Sequence, residues 1–152
     1  MGTGKTTVGR ALAARLNTSF MDLDNEIELA AGRTIPEIFE HDGETAFRQL
    51  ESDALRMAVG QAPGVLALGG GTIHRQRNLD FVEKCTRLVV LLLPLPAIME
   101  RLGSQDTGRP LLASAEALFV ARQPVLEGAG IGVNVHGLSL EEAVSAILKA
   151  VS

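Results

Sequence analysis

Two short apolar runs constrain the fold of this chain more than any other feature. Residues 64–68 and 88–93 are rich in Leu and Val, lack polar alternation, and stop at Gly69-Gly70-Gly71 and at Pro94. Runs of this length bounded by turn residues read as strands buried on both faces, and such strands belong to parallel sheets covered by helices. The remaining segments supply those helices. Over 6–16, Val8, Leu12 and Leu16 share a helical face. Residues 24–31 read as a helix stopped by Gly32; Thr34, with Pro36 in the next turn and Glu37 three residues on, has the pattern of a capping box. Helical periodicity resumes over 44–59, returns near 78–84, 97–102 and 115–125, and closes the chain with Leu140, Ala143, Val144, Ile147 and Leu148 on one face. Further strands are expected at 19–23 and 131–136. The alternation predicts an α/β protein, a parallel sheet between two helical layers, in one domain over 1–152.

Composition narrows the function. With no Trp or Tyr and five Phe, the core is aliphatic. A net charge of −4 without a run of like charges provides no basic face for nucleic acid, which is therefore not expected as a partner. Cys85 is the single cysteine, so neither an intramolecular disulfide nor a cysteine metal site can form, and a cytoplasmic location is expected. The longest apolar run falls far short of the ~20 residues of a spanning helix, and no membrane is expected. His41, His74 and His136 share no ligand spacing and read as surface or strand-end residues. The opening Met1-Gly2-Thr3-Gly4-Lys5-Thr6 formally fits an acylation signal, but it has a better account.

Gly2-Thr3-Gly4-Lys5-Thr6 is the second half of a phosphate-binding Walker A loop. Glycines let backbone N–H groups close around phosphate oxygens, and the following helix turns its positive end to the same anion. Lys5 would reach the β and γ phosphates and the Thr6 hydroxyl would ligate Mg²⁺. The first glycine of the pattern would fall before Met1, as would the strand that delivers the loop; a flexible terminus with a chance lysine is the plainer alternative.

Asp22 and Asp24 fall at the carboxyl end of the first visible strand, where open α/β sheets place ligands, and their spacing puts them on one side of it. One could serve Mg²⁺ and the other could take a proton from an attacking hydroxyl; alternatively, Asp24 only caps a helix beginning at Asn25. Arg48 with Glu51 reads either as an intrahelical pair or as a ligand group. Arg109 lies in Gly108-Arg109-Pro110-Leu111-Leu112, which reads as a mobile loop, and Arg122 precedes Pro124 near a helix end. Bidentate arginines matter where phosphoryl and carboxylate groups must be held together. Gly69-Gly70-Gly71 is either a plain loop or a place of close approach.

The ordered set of these motifs resembles shikimate kinase over nearly the whole chain. It runs from residues 1–7 through Phe20-Met21-Asp22-Leu23-Asp24 and Glu28, Ile38-Phe39, Gly43-Glu44, Phe47-Arg48-Gln49-Leu50-Glu51 and Leu68-Gly69-Gly70-Gly71 to Arg109-Pro110-Leu111-Leu112 and Arg122-Gln123-Pro124. The resemblance implies a three-layer α/β/α P-loop kinase of sheet order 2-3-1-4-5, its central first strand missing from this chain. It also implies a substrate-binding helical region over about 24–60 and a lid over about 103–114. Without the central strand the chain is expected to fold poorly and to bind ATP weakly.

The implied activity is ATP-dependent phosphorylation of the 3-hydroxyl of shikimate by a monomer. By resemblance, Gly2, Thr3, Gly4, Lys5, Thr6 and Thr7 cradle the phosphates, and Thr6 and Asp22 serve Mg²⁺. Asp24 activates the hydroxyl, and Lys5 and Arg109 meet the transferred group. Arg48, oriented by Glu51, and Arg122 grip the carboxylate, while Gly69, Gly70 and Gly71 line the site and Phe39 and Phe47 wall it. Two departures stand out. Leu126 replaces the usual aromatic after Arg122-Gln123-Pro124, and the arginines near the lid are reduced to Arg101 and Arg109, with Arg101 the candidate for the adenine contact. Two other readings stay open: a non-catalytic ligand-sensing relative, and a gluconate-type sugar-acid kinase.

Overall fold

The computed structural model describes residues 3–61, 64–103 and 110–152, the side chains of 102, 103 and 110–115 excepted. Its backbone contacts group into two units, Lys5–Thr86 and Met1–Gly4 with Arg87–Ser152.

The unit Lys5–Thr86 contains α1 (Lys5–Leu16), β1 (Ser19–Asp22), α2 (Leu23–Ala31), α3 (Ile35–Val59), β2 (Gly64–Ala67), a 3-10 turn (Thr72–His74) and α4 (Gln76–Cys85). β1 and β2 pair in parallel with Ser19 opposite Gly64 and Asp22 opposite Ala67. Gly9 of α1 packs so closely on Phe20 that an added Cβ would stand 2.7 Å from the ring. That approach turns the buried face of α1 through Val8, Gly9 and Ala13, leaving Leu16 51% exposed, against the expected line of Val8, Leu12 and Leu16.

Local chemistry fixes the ends of α2 and α3. Gly32 closes α2 at φ 65, donating its N–H to the Glu28 carbonyl, a backbone conformation that favours glycine. Thr34 and Glu37 form the expected capping box at the head of α3. The helix runs from Ile35 and is interrupted at Gly43 (φ 79, ψ 175), directly before Glu44, where periodicity was expected to resume. Leu23, Ile27, Ile38, Phe47 and Leu55 are buried from these two helices. His74 is on the 3-10 turn and half-buried, not at a strand end, because the chain winds tightly after the glycine triplet: Thr72 N donates to Gly69 O and His74 N to Gly71 O.

The other unit contains β3 (Val89–Leu92), α5 (Leu95–Gly103), α6 (Pro110–Gly128), β4 (Ile131–Asn134) and α7 (Leu140–Val151). β3 and β4 are parallel, with Val89 opposite Ile131. Val90, Leu93, Ile98, Val133, Val135, Ala143, Val144 and Ile147 are buried here, and Ser139 with Glu142 forms a second capping box at α7. The segment 110–112 begins a helix where a loop was expected; proline suits a first helical turn, whose N–H groups have no helical partner. Arg122 and Pro124 lie inside α6, not at its end. Val120 and Pro124 are exposed, so water can serve the carbonyl that Pro124 leaves without a helical donor. Among the described residues the strands form two separate two-stranded parallel sheets, β1 with β2 and β3 with β4, and the single sheet of order 2-3-1-4-5 that was expected is not seen as such. Among the described residues no helix is long and apolar enough to cross a membrane.

Candidate active site

The carboxyl end of β1 gathers the charged groups of the unit Lys5–Thr86. The strand stops at Asp22, which turns to cap α2, its carboxylate accepting from Asp24 N at 3.2 Å. Contrary to the expectation from their spacing, the two acids do not share a strand face: Asp22 is the cap and Asp24 stands in the first turn of the helix. Leu23 between them is fully buried and anchors that turn. The Thr6 hydroxyl at the start of α1 donates to Asp22 at 2.8 Å. Burial raises the Asp24 carboxyl above its ordinary value, and the charges of Asp22, Glu51 and Glu28 add to the effect, while Lys5 opposes it.

The glycine triplet is a place of close approach. A Cβ added to Gly69 would stand 2.7 Å from Asp24 Oδ1 and 3.1 Å from Thr72 Oγ1. One added to Gly71 would stand 2.8 Å from Arg48 Nη1. Only glycine leaves room for both side chains beside one loop. Arg48 donates from Nη1 to Glu51 Oε2 at 2.9 Å, so the intrahelical pair exists, and Glu51 is buried. The Arg48 guanidinium also lies 5.1 Å from the centre of the Phe47 ring, which stacks on Phe39 at 4.5 Å between centroids. Gly70 completes the triplet and is half-buried.

In the other unit, Gly4 adopts φ 81, and a Cβ there would stand 3.8 Å from Arg101 Nη1. Thr3 is half-buried beside it in sequence, Thr7 is exposed on α1, and Arg122 is half-buried on α6. Gly2 and Arg109 lie outside the described residues. Sequence reasoning did not single out Thr72, Arg75 or Asn78, whose hydrogen bonds reach α3 and the turn.

A carboxyl group of raised basicity, a lysine, a hydroxyl–carboxylate pair and a half-exposed guanidinium suit phosphoryl transfer to a hydroxyl of an acid. The family model for shikimate kinase matches residues 1–152. The chain belongs to the shikimate kinase family. A shikimate kinase of Ruegeria pomeroyi is 41% identical, with 100% of this chain and 81% of that protein covered. The crystal structure of shikimate kinase from Bacteroides thetaiotaomicron superposes with a TM-score of 0.91 at 29% identity, covering 99% of this chain and 93% of the other. Shikimate kinase from Acinetobacter baumannii in complex with shikimate superposes at 0.90 and 32% identity, covering 99% and 88%. The fold is accordingly the α/β P-loop kinase fold of shikimate kinases.

Proposed function

We infer that this shikimate kinase family member transfers the γ-phosphoryl group of ATP to the 3-hydroxyl of shikimate. The observation that carries the assignment is the shared glycine loop: Gly69 leaves room for the Asp24 carboxylate and Gly71 for the Arg48 guanidinium. One rigid turn thereby spaces a base from a carboxylate clamp, the two groups that a hydroxy acid requires.

In this reading Asp24 accepts the proton of the 3-hydroxyl as its oxygen bonds to the γ-phosphorus and the bond to ADP breaks. Arg48, held by Glu51, receives the shikimate carboxylate; the family pattern adds Arg122 to the same task. Lys5 and the backbone of Gly2, Thr3 and Gly4, with Thr6 and Thr7, hold the phosphates, Arg101 serves the nucleotide, and Arg109 meets the transferred group. The Thr6 hydroxyl and Asp22 carboxylate, 2.8 Å apart, are the hard oxygen donors that Mg²⁺ takes, and a bound Mg²⁺ supplies neutralisation of phosphate charge. Phe39 and Phe47 wall the acid site. The working unit is a cytoplasmic monomer that engages neither nucleic acid nor membrane.

The test is ADP release with ATP, Mg²⁺ and either shikimate or gluconate, together with calorimetric binding of shikimate. ADP formed only with shikimate supports the assignment. Shikimate binding without ATP consumption would make the chain a sensor, and preference for gluconate would make it a sugar-acid kinase.

A further inference from the structure

The Arg48–Glu51 pair is held by residues outside the groups assigned to substrate. Glu51 is 1% exposed, so both its oxygens need donors within the protein. Arg48 Nη1 serves Oε2 at 2.9 Å, and Thr72 Oγ1 serves Oε1 at 2.8 Å. Thr72 has no exposed surface, and its carbonyl accepts from Asn78 Nδ2 at 3.0 Å, with Asn78 only 2% exposed in the first turn of α4. Arg75 Nη1 donates to the carbonyl of Arg48 at 3.0 Å. Thr72 directly follows Gly71, whose missing side chain makes room for the guanidinium. One short turn therefore governs Arg48 twice, by leaving space over it and by fixing the carboxylate that binds it.

We propose that Thr72, held in place by Asn78, is a positioning residue that aims the Arg48 guanidinium through Glu51 and so sets affinity for the acid group of the substrate. The inference rests on the reading above, in which Arg48 receives that group. A threonine hydroxyl has one hydrogen to give. Given to Oε1, it fixes the carboxylate plane with Oε2 toward Nη1. Nε and Nη2 then remain on the side where Glu44 stands at 3.4 Å and 3.5 Å, within reach of a competing anion. Without the hydroxyl, a buried carboxylate oxygen loses its donor and Glu51 turns to find another, which loosens Arg48.

The experiment compares Thr72→Val, Thr72→Ser and Glu51→Gln, and the valine change in the glutamine background, by steady-state kinetics and shikimate calorimetry. Thr72→Val keeps the shape and removes the donor; it is expected to raise KM and Kd for shikimate about tenfold or more, with kcat and the KM for ATP nearly unchanged. Thr72→Ser restores the donor and the affinity. In the Glu51→Gln background the valine change adds less than about threefold, because the hydroxyl acts through the carboxylate. Thr72→Ala gives the same comparison if the valine variant does not fold. Unchanged shikimate affinity in the folded variants overturns the proposal, as do parallel losses for shikimate and ATP, or a serine variant as weak as valine. A wild-type chain without shikimate affinity overturns the functional reading itself, and that result precedes any variant.

Discussion

A Cβ placed on Gly71 would stand 2.8 Å from Nη1 and 3.0 Å from Nη2 of Arg48, so the guanidinium rests directly against the backbone of the loop. The obstacle to Gly71→Ala is the far end of a flexible side chain, which can move aside with little strain in the fold. The expected result is a melting temperature close to wild type and a shikimate affinity weakened by up to roughly 1.5–3 kcal/mol, the worth of a charged hydrogen bond. Calorimetry beside a thermal melt measures both. A large fall in melting temperature with unaltered affinity would remove Arg48 from the clamp.

Gly69→Ala meets a different neighbour. Its Cβ would stand 2.7 Å from Asp24 Oδ1, 3.1 Å from Thr72 Oγ1 and 3.5 Å from Glu51 Oε1, so it presses hardest on the proposed base and less on the groups that support the clamp. Turnover should therefore fall more than shikimate affinity, the reverse of Gly71→Ala, because a misplacement of about 1 Å can cost on the order of a hundredfold. Equal kinetic profiles for the two alanine variants would show that the loop does not separate the two tasks.

Asp24→Asn keeps the shape and removes the proton acceptor. We expect kcat to fall by ~10²–10⁴ with shikimate Kd within a few fold, measured by ADP release and calorimetry. Retained turnover would exclude Asp24 as the base.

The raised Asp24 carboxyl has two consequences for pH. The base works only when ionised, so the acidic limb of kcat/KM should lie above the ordinary aspartate range, its cause being burial first and then the charges of Asp22 and Glu51. Stability moves in the opposite sense. The folded chain holds this proton more tightly than the unfolded chain, so the part of stability owed to Asp24 increases as pH falls through its folded pKa toward the ordinary value. Both effects should vanish in Asp24→Asn. A wild-type limb inside the ordinary range would show that another group carries the proton.

What was legible in the sequence was mostly local. The Thr34–Glu37 capping box and the Gly32 stop are written within four residues of themselves and appear as expected. Both strand pairs follow from the alternation of elements and the resemblance together. The Ser139–Glu142 box carries the same local signal and could have been found by it. The interruption at Gly43 falls directly before Glu44, where helical periodicity was expected to resume. Asp22 rather than Asp24 caps α2 because the strand ends two residues before the helix was expected to start. Thr72 was unreadable for a more basic reason: its hydroxyl partner is 21 residues away in sequence, and no periodicity announces such a contact.

Gly43 divides α3 so that Phe39 and Phe47 lie on either side of it while their rings remain in contact. For redesign of substrate range, this separates two kinds of freedom. The later stretch of the helix carries Phe47, Arg48 and Glu51, with Phe47 and Glu51 buried, and tolerates little alteration. The earlier stretch carries Phe39, which is partly exposed and meets the proposed acid clamp only through the ring of Phe47. A biocatalyst for bulkier cyclic hydroxy acids is best sought by varying Phe39 while the later stretch is left as it stands.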